Sequence, residues 1–236
     1  MTSAPPPPPY SYPRDGFLTA QDIYDRRDEI FSDGFDAKDE TDFRLRIADE
    51  DPVGYDLRLG EEVYVSRKPV PFRLTGVSPS LVIEPGDFAL LTTFESIHIP
   101  TDLVGFISLK FSIGRTGLVN ISGFHVDPGY RGKIIFAVHN AGPSDVILRY
   151  REPTFKLLMA TLTRRLKFDK HVGKYPGFTK IPPEFIQGLR GGPISIRSLD
   201  RRLERLQDRF KLLLSIIGGV AAAIIATIIA FVAKLI

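Results

Sequence analysis

The sequence predicts an all-β domain followed by one apolar helix. Between about Phe17 and Ile181, nine short runs rich in β-branched and aromatic residues are separated by glycine, proline and aspartate. Few helical patterns lie between these runs, and short strands at such spacing are typical of a β-barrel or double-sheet fold. Near the carboxyl end, 22 consecutive residues carry no charge, which indicates a membrane-spanning helix.

The composition narrows the kinds of site that the chain can hold. Its 236 residues are 43% hydrophobic and 25% charged, which suits one buried core with appendages. The absence of cysteine excludes a disulfide framework, a thiolate metal site and a thiol nucleophile, and is consistent with a reducing cytosol. No metal site is expected, because no short ligand spacing joins the four histidines, His98, His125, His139 and His171.

The amino-terminal segment, residues 1–15, is predicted to be a flexible arm. Its run from Pro5 to Pro9 favours a solvated polyproline II conformation, either as a simple arm or as a docking peptide. No signal peptide is expected, because the segment has no apolar stretch. The first helical pattern follows from Leu18 to Phe31, where Thr19 can cap a helix.

Five motifs then follow in order: LTAQDI, YDLRLGEEVYV, PGDFALLTTFESIHIPTDLVGFISLKFSIGRTGL, HVDPGYRGKIIFAVHNAG and GKYPGF. In order and spacing they resemble the dCTP deaminase branch of the dCTP deaminase and dUTPase family, over about 160 residues. The resemblance implies that residues 16–190 form a distorted, jelly-roll-like β-barrel of the dUTPase type. It also implies a homotrimer with nucleotide sites between subunits.

The resemblance implies a triphosphate-binding segment at Lys110, Phe111 and Ser112, where the family has Arg-Ser-Ser. Lysine keeps the positive charge but loses the bidentate fork of arginine. Phe111 replaces a hydroxyl donor with bulk where phosphate oxygens pack, which argues against ordinary triphosphate binding. Arg115 matches the family's next arginine, and Lys174, in GKYPGF, matches a lysine that reaches the triphosphate.

Asp127 and Tyr130 lie in the DPGYRG segment. The resemblance implies that the acid lies beside the sugar 3′-hydroxyl, and in dUTPases orients the attacking water. It implies that the aromatic ring stacks on deoxyribose and excludes a 2′-hydroxyl. The structural alternative is that Asp-Pro-Gly is a good turn in any β protein.

Ala137 occupies the position at which the resemblance implies the glutamate that activates water against cytosine C4. A methyl group cannot carry a proton, and the loss of a positioned acid or base costs at least about 10²–10⁴ in rate. His139 is the alternative proton carrier, but it lies two residues along the strand. The alternation of a strand places Ile135 and Ala137 on one face and Phe136 and Val138 on the other. The resemblance implies that Ala137 points into a polar pocket between subunits.

The carboxyl-terminal segment is predicted to anchor the protein in a membrane. Residues 212–233, as a helix, span roughly 33 Å against a hydrocarbon core of about 30 Å. A basic stretch precedes them, in which arginine and lysine outnumber Asp200, Glu204 and Asp208. We therefore expect a tail-anchored, single-pass protein whose amino-terminal domain is cytoplasmic.

Residues 191–211 are predicted to form a linker and a stalk helix. The heptad spacing of Leu199, Leu203, Leu206, Phe210 and Leu213 is typical of a coiled coil, or of one amphipathic helix packed on the domain. Small residues recur every four positions in the apolar segment, which permits close helix approach: Ser215, Gly219, Ala223 and Thr227. These features and the family resemblance together predict a membrane-bound trimer.

The function expected is that of a nucleotide-binding, catalytically degenerate protein that acts as a nucleotide-responsive sensor or effector, or as an assembly module. An active dCTP deaminase, a dUTPase-type pyrophosphatase and a purely structural trimer remain alternatives. The expected partners are further copies of the chain, the membrane, and a deoxynucleotide or related ligand. Mg²⁺ is expected only with a bound triphosphate. No nucleic-acid partner is expected, because the basic stretch lacks interleaved aromatic residues.

Overall fold

The computed structural model describes residues 16–35, 52–167, 177–187 and 196–233. These residues are mostly β, with a curled sheet and a long carboxyl-terminal helix, which confirms the predicted class at this level. The arm of residues 1–15 and Lys174 lie outside the described residues. The chain divides into two compact units, Met1–Pro193 and Ile194–Ile236.

In the described residues the helices are α1 (Ala20–Asp25), α2 (Arg27–Ile30), α3 (Phe111–Gly114), α4 (Pro183–Gln187) and α5 (Ile196–Ala233). The strands are β1 (Phe31–Asp33), β2 (Tyr55–Val65), β3 (Phe72–Arg73), β4 (Ser80–Ile83), β5 (Phe88–Thr93), β6 (Ser96–His98), β7 (Leu103–Leu109), β8 (Leu118–Asn120), β9 (His125–Val126), β10 (Arg131–Gly132), β11 (Ile135–Asn140), β12 (Val146–Arg149) and β13 (Pro153–Thr161).

Helix α1 begins with the predicted cap. The Thr19 hydroxyl accepts the backbone N–H of Asp22 at 3.2 Å, and the Asp22 carboxylate accepts that of Thr19 at 2.8 Å, which completes a capping box. The single helical pattern from Leu18 to Phe31 is corrected by the structure. The helix is interrupted at Arg26, where α1 ends and α2 begins. Phe31 then pairs with Ile97 as the start of β1. The backbone of β1 forms its hydrogen bonds with β6 instead of continuing the helix.

The main sheet has eight strands in the order β8-β11-β5-β2-β13-β7-β9, with β3 paired to β2. Two smaller sheets have the orders β1-β6-β10 and β12-β4. The recorded strand pairs are antiparallel, which agrees with the short connections between consecutive runs. Strand β2 occupies the centre of the main sheet.

Strand β2 bends between Leu59 and Val63, where its register against β5 shifts. Gly60 lies in this bend, and a Cβ atom there would approach the Thr93 carbonyl oxygen to 2.4 Å. Only glycine fits so close an approach of two backbones. The bend lets one strand pair along different parts of its length with β13 and β5, which curls the sheet.

The core lies on one face of the main sheet, because alternate residues of its strands point inward. Phe136 of β11 and Phe155 of β13 are both fully buried, and their rings stack with centroids 3.8 Å apart. The same face buries a set of aliphatic side chains without exposure: Leu57, Leu59, Val63, Leu91, Val138 and Leu157.

An ion pair is buried beside the bend of β2. The Arg58 Nε donates to Glu95 Oε1 at 2.7 Å, and the Arg58 backbone N–H donates to Glu95 Oε2 at 2.9 Å. The Glu95 side chain is 0% exposed and that of Arg58 is 11% exposed. Burial raises the pKa of Glu95, while the hydrogen bonds and charge of Arg58 act in the opposite direction. The Arg58 guanidinium also donates to the Gly34 carbonyl, so the pair joins β2 to two further segments.

Helix α5 contains one stretch, Leu203–Ile228, that by length and composition is able to cross a membrane. That stretch overlaps the predicted span of residues 212–233. The side chains described along it are exposed, unlike those of a core helix in a water-soluble domain.

We expect Glu95→Ala to lower the free energy of unfolding of the β unit by about 3–5 kcal/mol, because it leaves the Arg58 guanidinium buried without its carboxylate. The measurement is the urea midpoint of the intact chain in detergent, followed by near-ultraviolet circular dichroism. Glu61→Ala is the control, since it breaks an exposed pair with Arg73 and should change stability by about 1 kcal/mol or less. Equal losses in the two variants would contradict the importance given to the buried pair.

Candidate functional site

An open depression lies where β7 ends and α3 begins. The chain leaves the sheet after Leu109, and the Lys110 carbonyl accepts the backbone N–H of Gly114 at 2.9 Å in the first turn of α3. This turn gathers three predicted binding residues, Lys110, Ser112 and Arg115. The rest of the lining comes from Ser108, Leu109, Phe111, Gly114 and Lys156.

A row of polar residues crosses three strands at the edge of the depression. Lys156 of β13 pairs with Asp56 of β2 on one side and with Ser108 of β7 on the other. Directly paired residues point to the same face of a sheet, so the three side chains lie together on the face opposite the core. The neighbours Leu57 and Leu157 point the other way and are fully buried.

Asp56 lies between two lysines. The Lys110 ammonium donates to Asp56 Oδ2, and Lys156 Nζ lies 2.6 Å from Asp56 Oδ1. Burial lowers the pKa of Lys156. One carboxylate for two ammonium groups leaves a positive excess at this end of the sheet.

Arg115 adds a third positive charge to the depression. Its backbone N–H donates to the Phe111 carbonyl at 2.9 Å, which holds the residue at the end of α3, and its side chain is exposed. Among the residues that the structure describes, the guanidinium forms no ion pair. Three cations and one carboxylate give the depression about two net positive charges, and this arrangement suits an anionic ligand.

Phe111 is the aromatic residue among those that line the depression, and it is 86% exposed. It begins α3, between Lys110 and Ser112, and its ring contacts no other aromatic ring within the described residues. The prediction that its bulk hinders the binding of a triphosphate stays a prediction. A ring this exposed is available to pack against another molecule.

Asp127 and Tyr130 lie away from the depression. Val126 pairs with Gly105, so Asp127 is level with Val104, six residues from Lys110 along β7. At about 3.3 Å per residue, this separates Asp127 from Lys110 by roughly 20 Å within one chain. Asp127 Oδ1 lies 3.5 Å from His125 Nε2, and both side chains are about half exposed.

The Tyr130 ring packs against the core, and its hydroxyl donates to the Lys133 carbonyl. Burial raises the pKa of Tyr130 to about 12, so the hydroxyl stays protonated at neutral pH. The carbonyl and the core fix the ring beside Asp127. Its predicted contact with deoxyribose stays a prediction.

Ala137 lies on the face of β11 that the alternation predicts. Phe136 and Val138 are fully buried, whereas Ala137 and His139 are partly exposed. Within one chain, Ala137 packs against an apolar cluster: Tyr64, Leu90, Ile181 and Ile186. The pocket between subunits that is expected at this face stays a prediction. The segment just before α4 lies against this part of the sheet. The Ile181 N–H in that segment donates to Glu62 Oε2 at 2.8 Å.

Sequence reasoning missed Asp56 and Lys156, which join the depression only through strand register. In the sequence, Asp56 and Lys156 appear only as charged residues at positions of their strands that alternate with apolar ones. Lys174 lies outside the described residues. Within residues 16–35, 52–167, 177–187 and 196–233, no group of three histidine, aspartate or glutamate side chains is placed to hold a metal ion.

Comparison with known proteins gives consistent matches. Residues 18–162 match the model of the dCTP deaminase-like family. The chain is 33% identical to the dCTP deaminase of Pyrococcus abyssi over 130 residues, which are 55% of this chain and 81% of the relative. It is 38% identical to the dCTP deaminase of Thermococcus sibiricus over 126 residues, which are 53% of this chain and 78% of the relative. A solved dCTP deaminase from Agrobacterium tumefaciens aligns with a TM-score of 0.48 at 17% identity, covering 63% of this chain and 49% of that chain.

We expect Ala137→Glu to destabilise the β unit by about 1–3 kcal/mol without unfolding it. The introduced carboxylate would meet the apolar cluster of Ile181 and Ile186, yet the position is only partly buried. Burial should raise the pKa of the new carboxyl group, so the loss of stability should be smaller at pH 5 than at pH 8. Thermal unfolding at both pH values checks this, with Ala137→Gln as the uncharged control. A loss that is independent of pH would contradict the assigned environment.

Proposed function

The chain belongs to the dCTP deaminase-like family, and from that membership we propose that it is a membrane-anchored trimer whose β domain binds a nucleotide but no longer deaminates it. The observation that carries the proposal is the combination of a cationic depression with a methyl group at position 137. Lys110, Arg115 and Lys156 line the depression, and a methyl group stands where the resemblance implies the acid/base of the reaction.

The charges of the depression support nucleotide binding. Arg115 extends an exposed guanidinium beside Lys110 and Ser112, the residue types that bind phosphate oxygens through charge-assisted hydrogen bonds. The curated relatives named above are dCTP deaminases, so the ligand class proposed for this chain is a nucleotide. We propose that Lys110, Ser112 and Arg115 bind its phosphate groups, and that Lys174 joins them.

The separation of the predicted site residues supports a trimer with shared sites. Asp127 lies roughly 20 Å from Lys110 along β7 in one chain, which is too far for both to contact a single sugar and its first phosphate. A site that uses both groups therefore requires a second copy. The exposed rings of Phe17 and Phe124, which flank Phe106 at 5.8 and 6.3 Å, suit such an interface.

The surroundings of Ala137 support the loss of deamination. His139 lies on the same face about 7 Å along the strand, and Glu62 lies two strands away, about 10 Å across the sheet. The Glu62 carboxylate accepts the N–H of Ile181, which holds it where it is. Neither group stands where the resemblance implies the water-activating glutamate.

Helix α5 supports the membrane anchor, with the domain limits 1–15, 16–190, 191–211 and 212–233 as proposed from the sequence. The heptad positions Leu203, Leu206 and Phe210 are exposed, as a coiled-coil seam is before its partners pack against it. We propose that the cytoplasmic β domain responds to nucleotide at the membrane surface as a sensor, effector or assembly module.

Among deoxynucleotides, ribonucleotides and cyclic nucleotides, we expect at least one to raise the melting temperature of the intact chain in detergent. At 100 times its Kd, a ligand adds about 2.7 kcal/mol, or roughly 5–10 °C for a domain of this size. Arg115→Ala should remove the shift, whereas Arg164→Ala, an exposed arginine outside the depression, should keep it.

The same preparations test the alternatives. A panel without any shift would favour the purely structural trimer. Release of ammonia from dCTP, or of pyrophosphate from dUTP with Mg²⁺, would show that catalysis survives and would overturn the degenerate assignment. Arg115→Ala must abolish any such turnover if it arises from this site.

We expect the intact chain to pellet with membranes, and a variant lacking residues from Leu212 onward to stay in the supernatant, because the apolar part of α5 is then absent. Light scattering after size exclusion should report a trimer for both forms. An intact chain that is soluble without detergent would contradict the anchor, and a monomeric shortened form would assign trimerisation to α5.

A further inference from the structure

Phe111 is a large apolar side chain that the described fold leaves uncovered. Phe111 is the first residue of α3 and is 86% exposed, and its ring contacts no other aromatic ring within the described residues. Its two chain neighbours, Lys110 and Ser112, both line the depression. The ring therefore borders directly on the groups proposed to bind phosphate.

The net positive charge of the depression sets how much negative charge on a ligand it can neutralise. Lys110, Lys156 and Arg115 supply three positive charges, and Asp56 removes one. A phosphate monoester carries about −1.5 to −2 charges at pH 7, which these groups balance. A triphosphate brings two further ionised phosphoryl groups, for which the depression has no additional cation among the described residues.

An exposed aromatic ring beside a single-phosphate site is a stacking platform for a base. Base–aromatic stacking tolerates any base, because every base has a π face. The ring also occupies room at a position where a small hydroxyl residue would leave space for more phosphate oxygens. Both effects favour a ligand with one phosphate and one ring system close together.

We propose that the depression selects a nucleoside monophosphate, with its base stacked on Phe111 and its phosphate on Lys110, Ser112 and Arg115. This rests on the proposed nucleotide binding and specifies the ligand class of the same site. In this assignment Phe111 is the specificity-determining residue, because it replaces space for phosphates with a surface for the base.

Isothermal titration of the intact chain in detergent with dUMP, dCMP, dUTP and dCTP tests the assignment. We expect a monophosphate to bind more tightly than its triphosphate. Phe111→Ala should weaken monophosphate binding by about tenfold or more, and Phe111→Trp should preserve it. Phe111→Ser should shift the preference toward the triphosphate. Phe185→Ala is the control, since Phe185 is an exposed aromatic on α4 outside the depression.

The outcomes separate this inference from the proposed function. If neither class of nucleotide binds the unaltered chain, both the proposed function and this inference are wrong. If a triphosphate binds more tightly, nucleotide binding stands and the monophosphate assignment is wrong. If Phe111→Ala leaves monophosphate affinity unchanged but dissociates the oligomer, the ring belongs to a contact between copies and the assignment is likewise overturned.

Discussion

The bend of strand β2 at Gly60 determines where both regions of the candidate site lie. The half of β2 before the bend carries Asp56, which binds the lysines of the depression. The half after the bend carries Tyr64, which pairs with Leu90 and through it with Ala137. The buried Arg58–Glu95 pair stands beside the bend, so a shift of register would separate two desolvated charges at a cost of several kcal/mol.

The depression and position 137 consequently lie on different strands of one sheet. The depression depends on Lys110, Lys156 and Arg115, whereas the reaction implied by the family depends on the residue at position 137. The loss of deamination proposed above therefore requires no change among the residues that line the depression.

Local patterns predicted the parts of the structure that neighbouring residues determine. The Thr19 cap and the inward facing of Phe136 and Val138 follow from side chains within a few positions. Lys110, Ser112 and Arg115 come together because they share one turn of chain. Asp56 and Lys156 are one hundred residues apart, and their contact exists only through the register of β2 on β13, which no local pattern specifies. The packing of Ile181 near Ala137 is equally non-local, and no pattern within β11 specifies it.

The apolar residues around Ala137 disfavour an ionised side chain at position 137 within one chain. Ile181 and Ile186 are 3% and 4% exposed, and the burial of each such side chain contributes about 1.5–3 kcal/mol. An ionised group among them would need partners that the cluster lacks, because the nearby Glu62 is already bonded to the Ile181 N–H. With alanine at 137, the segment before α4 packs without that cost and stays docked on the sheet. Alanine at position 137 is therefore compatible with the packing of the segment that leads into α4.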